Sequence, residues 1–177
     1  MAQQELSREV QEIWELFRAV AKQQEENAKK IEQLSDTVDA LTGKWGKFVE
    51  GLVVPGAVRI FNERGIDVEQ TSIRNKVQRN GQEMEIDVLL ENEEYVVAIE
   101  VRSTLKVEDV NEHMEKLRRF REFFPRFKEY KLIGAVAGIV IEEEADKYTY
   151  RRGLFVIGQT GETVNILNDE KFKPKLW

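Results

Sequence analysis

Apolar residues in the first forty positions recur at alternating steps of four and three, the spacing of a coiled-coil helix. The a positions are Val10, Phe17, Gln24, Ile31 and Val38, and the d positions are Leu6, Ile13, Val20, Asn27, Leu34 and Leu41. This repeat contains no proline or glycine and predicts a long helix whose apolar stripe needs a partner. We therefore expect residues 1–42 to form a coiled-coil helix that joins copies of the chain through residues 5–42, as a dimer or tetramer.

Two polar residues interrupt the apolar stripe near its middle. Gln24 stands at an a position and Asn27 at the following d position. Such residues lower the stability of a coiled coil but can fix its register and its number of strands. The simpler explanation is a weak point between two short apolar blocks, and the pattern supports both explanations equally.

The rest of the chain, residues 43–177, alternates between helical and strand patterns. Helices are predicted at 44–62, 107–124 and 142–152, and strands at 68–78, 84–90, 95–102, 132–141, 154–157 and 163–167. Asn80 and Gly81, between the first two strands, are typical of a tight hairpin turn. This order of elements predicts an α/β domain with a mixed sheet flanked by helices.

Charge and cysteine content narrow the range of functions. The chain of 177 residues has 27 Lys and Arg against 33 Asp and Glu, a net charge of −6. Since proteins that bind DNA tightly usually present a basic field, contact with nucleic acid would need a local basic patch. The absence of cysteine excludes disulfides and thiolate metal sites. The single histidine, His113, excludes a multi-histidine zinc site, and we interpret it as an ordinary surface or helix-end residue.

Two groups of basic residues are candidates for such a patch. They are Arg74, Lys76 and Arg79 on the first hairpin, and Lys116, Arg118, Arg119, Arg121, Arg126, Lys128 and Lys131 around the second helix of the domain. A solvated helix face is the commoner explanation of such clusters. The sequence has no run of eighteen apolar residues and no signal-peptide pattern, so we expect a cytoplasmic protein without a membrane partner.

Two acidic residues fall where neighbouring predicted strands can meet. Asp87 lies on the second strand, and Glu100 interrupts the apolar run of the third. A buried ionised carboxylate needs a cationic partner, a metal or a raised pKa. Two carboxylates and a main-chain carbonyl suit Mg²⁺, or Mn²⁺, and such a metal can activate water against a phosphate. An internal salt bridge to Arg102 explains the same pattern without a metal, and periodicity alone leaves both explanations open.

Asp87, a hairpin turn and the sequence Ile99–Arg102, after a helix and a meander, resemble the PD-(D/E)XK nuclease superfamily. Residues 43–50, 85–88 and 153–156 are similar to an uncharacterised prokaryotic branch of it that carries N-terminal coiled coils. The resemblance runs from about Leu41 to the C-terminus and implies a restriction-endonuclease-like fold. It implies Asp87 and Glu100 as metal ligands, the Val101 carbonyl as a third ligand, and Glu50 as an acidic residue that completes the catalytic site.

One departure from the family pattern concerns the motif lysine, which is Arg102 here. The resemblance implies that this residue orients water and stabilises the charged phosphate. Arginine keeps the positive charge and can grip phosphate with two N–H groups, but it cannot act as a base. Lys106, just past the strand, is a candidate substitute. The expected function is a magnesium-dependent endonuclease acting on DNA. The alternative is a catalytically inactive nuclease-fold scaffold or nucleic-acid-binding oligomer, in which Arg102 folds back onto Glu100 or Asp87.

Overall fold

The computed structural model describes residues 13–31, 33, 34 and 49–177, except for the side chains of residues 49 and 50. Residues 13–31 form helix α1, and its apolar side chains Ile13, Trp14, Phe17 and Val20 are exposed in the single chain. The helical part of the coiled-coil prediction is confirmed over this range. The remaining heptad positions and the helix end expected near Gly43 lie outside the described residues, and the pairing of helices stays a prediction.

Residues 49–177 form the predicted α/β arrangement, a six-stranded mixed sheet flanked by helices. The strands are β1 (Gln70–Arg79), β2 (Gln82–Glu91), β3 (Tyr95–Leu105), β4 (Lys131–Ile141), β5 (Phe155–Thr160) and β6 (Thr163–Ile166). The helices are a π-helical turn (Val49–Val53), α2 (Val54–Glu63), α3 (Val107–Phe123), a 3₁₀ turn (Pro125–Phe127) and α4 (Ala145–Arg151). Pro55 lies in the first turn of α2, where a missing backbone N–H leaves no hydrogen bond unmade.

The strands follow one another across the sheet in chain order. The meander β1–β2–β3 is antiparallel, β4 and β5 each run parallel to the strand before them, and β6 returns antiparallel to β5. Asn80 and Gly81 have φ angles of +52° and +73°. These values are those of the tight hairpin turn that the Asn-Gly pair predicts.

Apolar side chains cover both faces of the sheet. On one face α3 contributes Leu117 and Phe120 to a core that also contains Leu132 of β4 and Leu154. On the other face Phe61 of α2 meets the ring of Phe155 edge-on, with centroids 5.3 Å apart. In the part of the chain that the structure describes, no helix is long and apolar enough to cross a membrane.

The pairing of β2 and β3 is shorter than either strand. Their register runs from Glu91 opposite Val96 to Val88 opposite Ile99. The strands separate immediately beyond this pair, where the next residue of β2 is Asp87 and that of β3 is Glu100. A fork in the sheet therefore places the two acidic residues at the same point.

Candidate functional site

The helix that follows β3 presents a polar stripe on one of its faces. Asp109, Glu112, His113 and Lys116 follow the spacing i, i+3, i+4 and i+7, which aligns side chains along one side of a helix. The Asp109 carboxylate accepts a hydrogen bond of 2.8 Å from the backbone N–H of Lys106 and so caps the start of α3. This anchors the helix with its polar stripe over the end of β3.

Glu100 is the buried centre of the cluster, with a relative exposure of 1%. Its Oε1 lies 2.6 Å from Nη2 of Arg102, and its Oε2 lies 2.8 Å from Nζ of Lys116. Burial alone would raise the pKa of this carboxyl, but the contacts with His113 and Lys116 outweigh it and lower the pKa to about 2. Glu100 is therefore ionised at neutral pH despite its burial.

Asp87 bridges the fork between the two strands. Its Oδ2 accepts a hydrogen bond of 2.7 Å from the backbone N–H of Val101, which satisfies a donor where the β2–β3 ladder has ended. Burial, and then the negative charge of Glu100, raise the pKa of the Asp87 carboxyl above its ordinary value. The two carboxylates are therefore close enough for the charge of Glu100 to disfavour ionisation of Asp87.

Arg102 lies among the carboxylates of this cluster. Its Nη1 is 3.8 Å from Asp87 Oδ2, and its Nε donates a hydrogen bond of 3.1 Å to Asp109 Oδ1. Glu112 adds a more distant contact of 4.0 Å. The guanidinium is thus folded back onto Glu100 and Asp87. This is the position that we expect of Arg102 in a site neutralised by its own side chains.

The prediction for His113 is wrong, because the ring is fully buried. Val110, three residues before it, Leu117, four residues after it, and the adjacent Met114 are all buried in the core beside the sheet. Its Nε2 lies 3.0 Å from the carbonyl oxygen of Ala98, so this nitrogen carries the hydrogen. Its Nδ1 lies 3.7 Å from Glu100 Oε2 and has no hydrogen-bond partner in the described part of the chain. The apolar spacing of α3 was the sequence signal that placed His113 inward.

The lysine that lies beside Glu100 is not Lys106, the candidate that the sequence suggested. Lys106 is exposed, and its ammonium lies 3.4 Å from Glu142. Lys116 instead reaches Glu100 from the third turn of α3. The sequence predicts Lys116 only as a member of a basic cluster, on a solvated helix face or in a nucleic-acid patch, since nothing local distinguishes it from its basic neighbours.

The ligand chemistry of the fork fits a magnesium ion, with one obstacle. Asp87, Glu100 and the Val101 carbonyl offer hard oxygen atoms, and magnesium often takes only one or two carboxylates and keeps its waters. Arg102, however, lies between both carboxylates and donates a hydrogen bond of 3.3 Å to the Val101 carbonyl. Across the described residues, no three His, Asp or Glu side chains converge to hold a metal. The side chain of Glu50, the predicted fourth member of the site, lies outside the described residues.

Most of the predicted basic patch is engaged within the domain. Arg121 donates hydrogen bonds to the backbone carbonyls of Lys128, Tyr130 and Trp177. The paired cations and their acidic partners are Lys76 with Glu83, Arg118 with Glu115, Arg119 with Glu122, Arg126 with Glu91 and Lys131 with Glu94. These residues form a balanced surface rather than a broad basic field.

Comparisons with known proteins identify no family. No family model matches the chain, and no curated protein matches it. One solved structure, described as a protein of unknown function, AF1548, is similar with a TM-score of 0.38 and 24% sequence identity. The match covers 60% of this chain and 58% of that one.

Proposed function

We propose that residues 43–177 form a metal-dependent, nuclease-like domain of the PD-(D/E)XK type that acts on phosphodiester bonds of DNA. The observation that carries the proposal is the meeting of Asp87 and Glu100 where β2 and β3 separate. Replacing a buried ion pair by well-packed apolar residues is often neutral or stabilising, so stability alone is a weak reason to retain this one. Binding of a metal ion and a charged phosphate would be a stronger reason to retain these buried charges.

Each residue of the cluster has a defined part in this proposal. Asp87 and Glu100 are the ligands of Mg²⁺ or Mn²⁺, which when bound supplies Lewis acidity and a hydroxide from water. Lys116, a compact ammonium on α3, stands beside Glu100 and is placed to stabilise negative charge on a phosphate. Arg102 neutralises the carboxylates before a ligand enters, and Asp109 remains its partner when it withdraws from Glu100.

Assembly of the nuclease-like domain through α1 is part of the same proposal. Ile13, Phe17, Val20, Ile31 and Leu34 occupy heptad positions and are each at least half exposed in the single chain. An apolar stripe of this kind favours pairing with a second helix. A dimer or tetramer would bring two or more nuclease-like sites to one DNA duplex.

A second candidate function is a catalytically idle nuclease-fold scaffold. The observation that favours it is the Arg102 guanidinium, which lies between the two carboxylates as an internal counter-ion. In that case R102K would create metal-dependent cleavage that the wild-type chain does not have. In an active enzyme adapted to arginine, R102K would lower cleavage because the two-pronged grip on phosphate is lost.

Plasmid DNA cleavage by the full chain in Mg²⁺ or Mn²⁺ tests the proposal. We expect the wild-type chain to nick the plasmid, and D87N and E100Q to lose this activity. The matched control is E85Q, since Glu85 is exposed on β2 two residues from Asp87. Absence of wild-type cleavage with both metals would favour the idle scaffold. Equal activity in all four proteins would point to a contaminating nuclease and refute the assigned site.

A further inference from the structure

The backbone of Arg74 has a conformation that is rare for a residue with a long side chain. Its φ is +51° within strand β1, in the left-handed region where the β-carbon is crowded. Asn80, with a φ of +52°, is the other such non-glycine residue in the described part of the chain. The hairpin turn requires that angle at Asn80, but no turn explains it at Arg74.

Neighbouring contacts hold the strained conformation in place. The hydroxyl of Ser72 donates a hydrogen bond of 2.9 Å to Asn75 Oδ1, and the Asn75 amide donates one of 3.1 Å to the Ser72 carbonyl. These two bonds span Arg74, and β1 remains paired with β2 on both sides of it. Strain that is held by surrounding structure is concentrated at functional sites.

Arg74 lies on β1, the strand next to the one that carries Asp87 of the candidate site. Ile73 pairs with Val88 and Asn75 pairs with Ile86, so the residue opposite Arg74 is Asp87. The strained residue and a carboxylate of the site therefore occupy the same point of the β1–β2 ladder.

The side chains of the candidate site carry more negative than positive charge, so binding of DNA would need a further cation nearby. Four carboxylates, those of Asp87, Glu100, Asp109 and Glu112, surround only two cations, Arg102 and Lys116. A bound divalent ion would only bring this sum to zero, so the site itself offers no net positive charge to a DNA strand. Arg74 is exposed, and within the described residues it makes no hydrogen bond or ion pair through its side chain. Nearby Lys76, in contrast, is paired with Glu83.

We propose that Arg74 binds a backbone phosphate of DNA at the rim of the Asp87–Glu100 site. This inference rests on the proposed function and adds a substrate-binding residue to it. The guanidinium offers two parallel N–H groups to a phosphate and stays charged at every physiological pH. The strained backbone at Arg74 sets the direction in which this exposed cation leaves β1, on the strand next to Asp87.

Replacement of Arg74 by glycine separates the two roles of the residue. Glycine adopts positive φ freely, so R74G should unfold at the same temperature as the wild-type chain or higher. The same change removes one phosphate contact. The slope of log affinity against log salt, which is negative, should therefore become about 0.9 less steep. The assay is fluorescence anisotropy of a labelled DNA duplex with the full chain, in Ca²⁺ and over a range of salt concentrations.

Two matched variants control for backbone and charge. N80G relieves the same kind of φ in the hairpin turn, and K173Q removes an exposed charge outside both candidate basic groups. Both should keep the wild-type salt slope. Failure of the wild-type chain to bind DNA would remove the proposed function together with this inference. Wild-type binding with an unchanged slope in R74G would overturn the role of Arg74 alone. If R74G does not fold, R74Q carries the same measurement, and an unchanged slope there overturns it equally.

Discussion

Replacement of Glu100 by glutamine should weaken the fold far more than the matching replacement of Asp87 by asparagine. Both changes remove one negative charge and preserve the shape of the side chain. Glu100 contacts Arg102 and Lys116 at 2.6 and 2.8 Å. E100Q gives Lys116 a neutral partner and removes one of the carboxylates around Arg102. Asp87 is held by the backbone N–H of Val101, which an asparagine carbonyl can still accept.

The size of the Glu100 effect follows from its pKa. Contacts with His113 and Lys116 overcome the effect of burial and lower the pKa from an ordinary 4.5 to about 2. At about 1.4 kcal/mol per pH unit, ionised Glu100 contributes roughly 3 kcal/mol to the free energy of unfolding at neutral pH. E100Q should lose about that much. For Asp87, burial and the charge of Glu100 raise the pKa, so D87N should be neutral or stabilising at pH 7.

The pH dependence of stability gives the same prediction a second check. Since folding lowers the pKa of Glu100, its contribution is complete above about pH 4.5 and disappears as the pH falls towards 2. The difference in the free energy of unfolding between the wild-type chain and E100Q should therefore shrink over that range. Urea unfolding curves at several pH values measure it. Wild-type stability in E100Q at pH 7, or a larger loss in D87N, would refute the assignment of Glu100 as the centre of the cluster.

Three further predictions follow from the same contacts. R102K should raise the affinity for Mg²⁺ in isothermal titration, because lysine cannot span Glu100, Asp87 and Asp109 as the guanidinium does. A lower affinity would show that Arg102 does not compete with the metal. K116M should reduce plasmid cleavage about 10²-fold or more, by analogy with loss of a transition-state donor. K173M, at an exposed lysine outside the candidate basic groups, should have wild-type activity. Deleting residues 5–42 should convert an oligomer to a soluble monomer in sedimentation, and a monomeric full-length chain at micromolar concentration would contradict the coiled-coil proposal.

The α/β class and the order of helices and strands were predictable from sequence because their signals are local. Strand and helix periods repeat within ten residues, and the Asn80–Gly81 pair marks the first hairpin turn by backbone chemistry alone. The meeting of Asp87 and Glu100 also follows from local pattern, because a hairpin joins their strands. Lys116 was missed for the opposite reason. Its contact with Glu100 depends on how α3 crosses β3, and that packing is decided by the whole core.

His113 was predicted wrongly because the prediction used its residue type and not its position on α3. Histidine is intermediate in burial across proteins, so its identity predicts little. Its position among Val110, Met114 and Leu117 assigns it to the inner face of α3. The strain at Arg74 has no sequence signal of any kind, because arginine gives no indication of positive φ. Its cause lies in the Ser72–Asn75 contacts and in the β1–β2 register.

An active site requires that the Arg102 guanidinium leave the two carboxylates so that a metal ion can replace it, whereas in an idle site it stays. Glu100 must keep a cation, because an unpaired ionised carboxylate at 1% exposure would be costly. Lys116 satisfies this need from α3 independently of Arg102. Withdrawal of the guanidinium therefore leaves Glu100 paired, and Arg102 itself keeps its hydrogen bond to Asp109. Because Lys116 remains, Arg102 can move away without leaving Glu100 unpaired, and this is the physical reason that an arginine at position 102 is compatible with the proposed metal site.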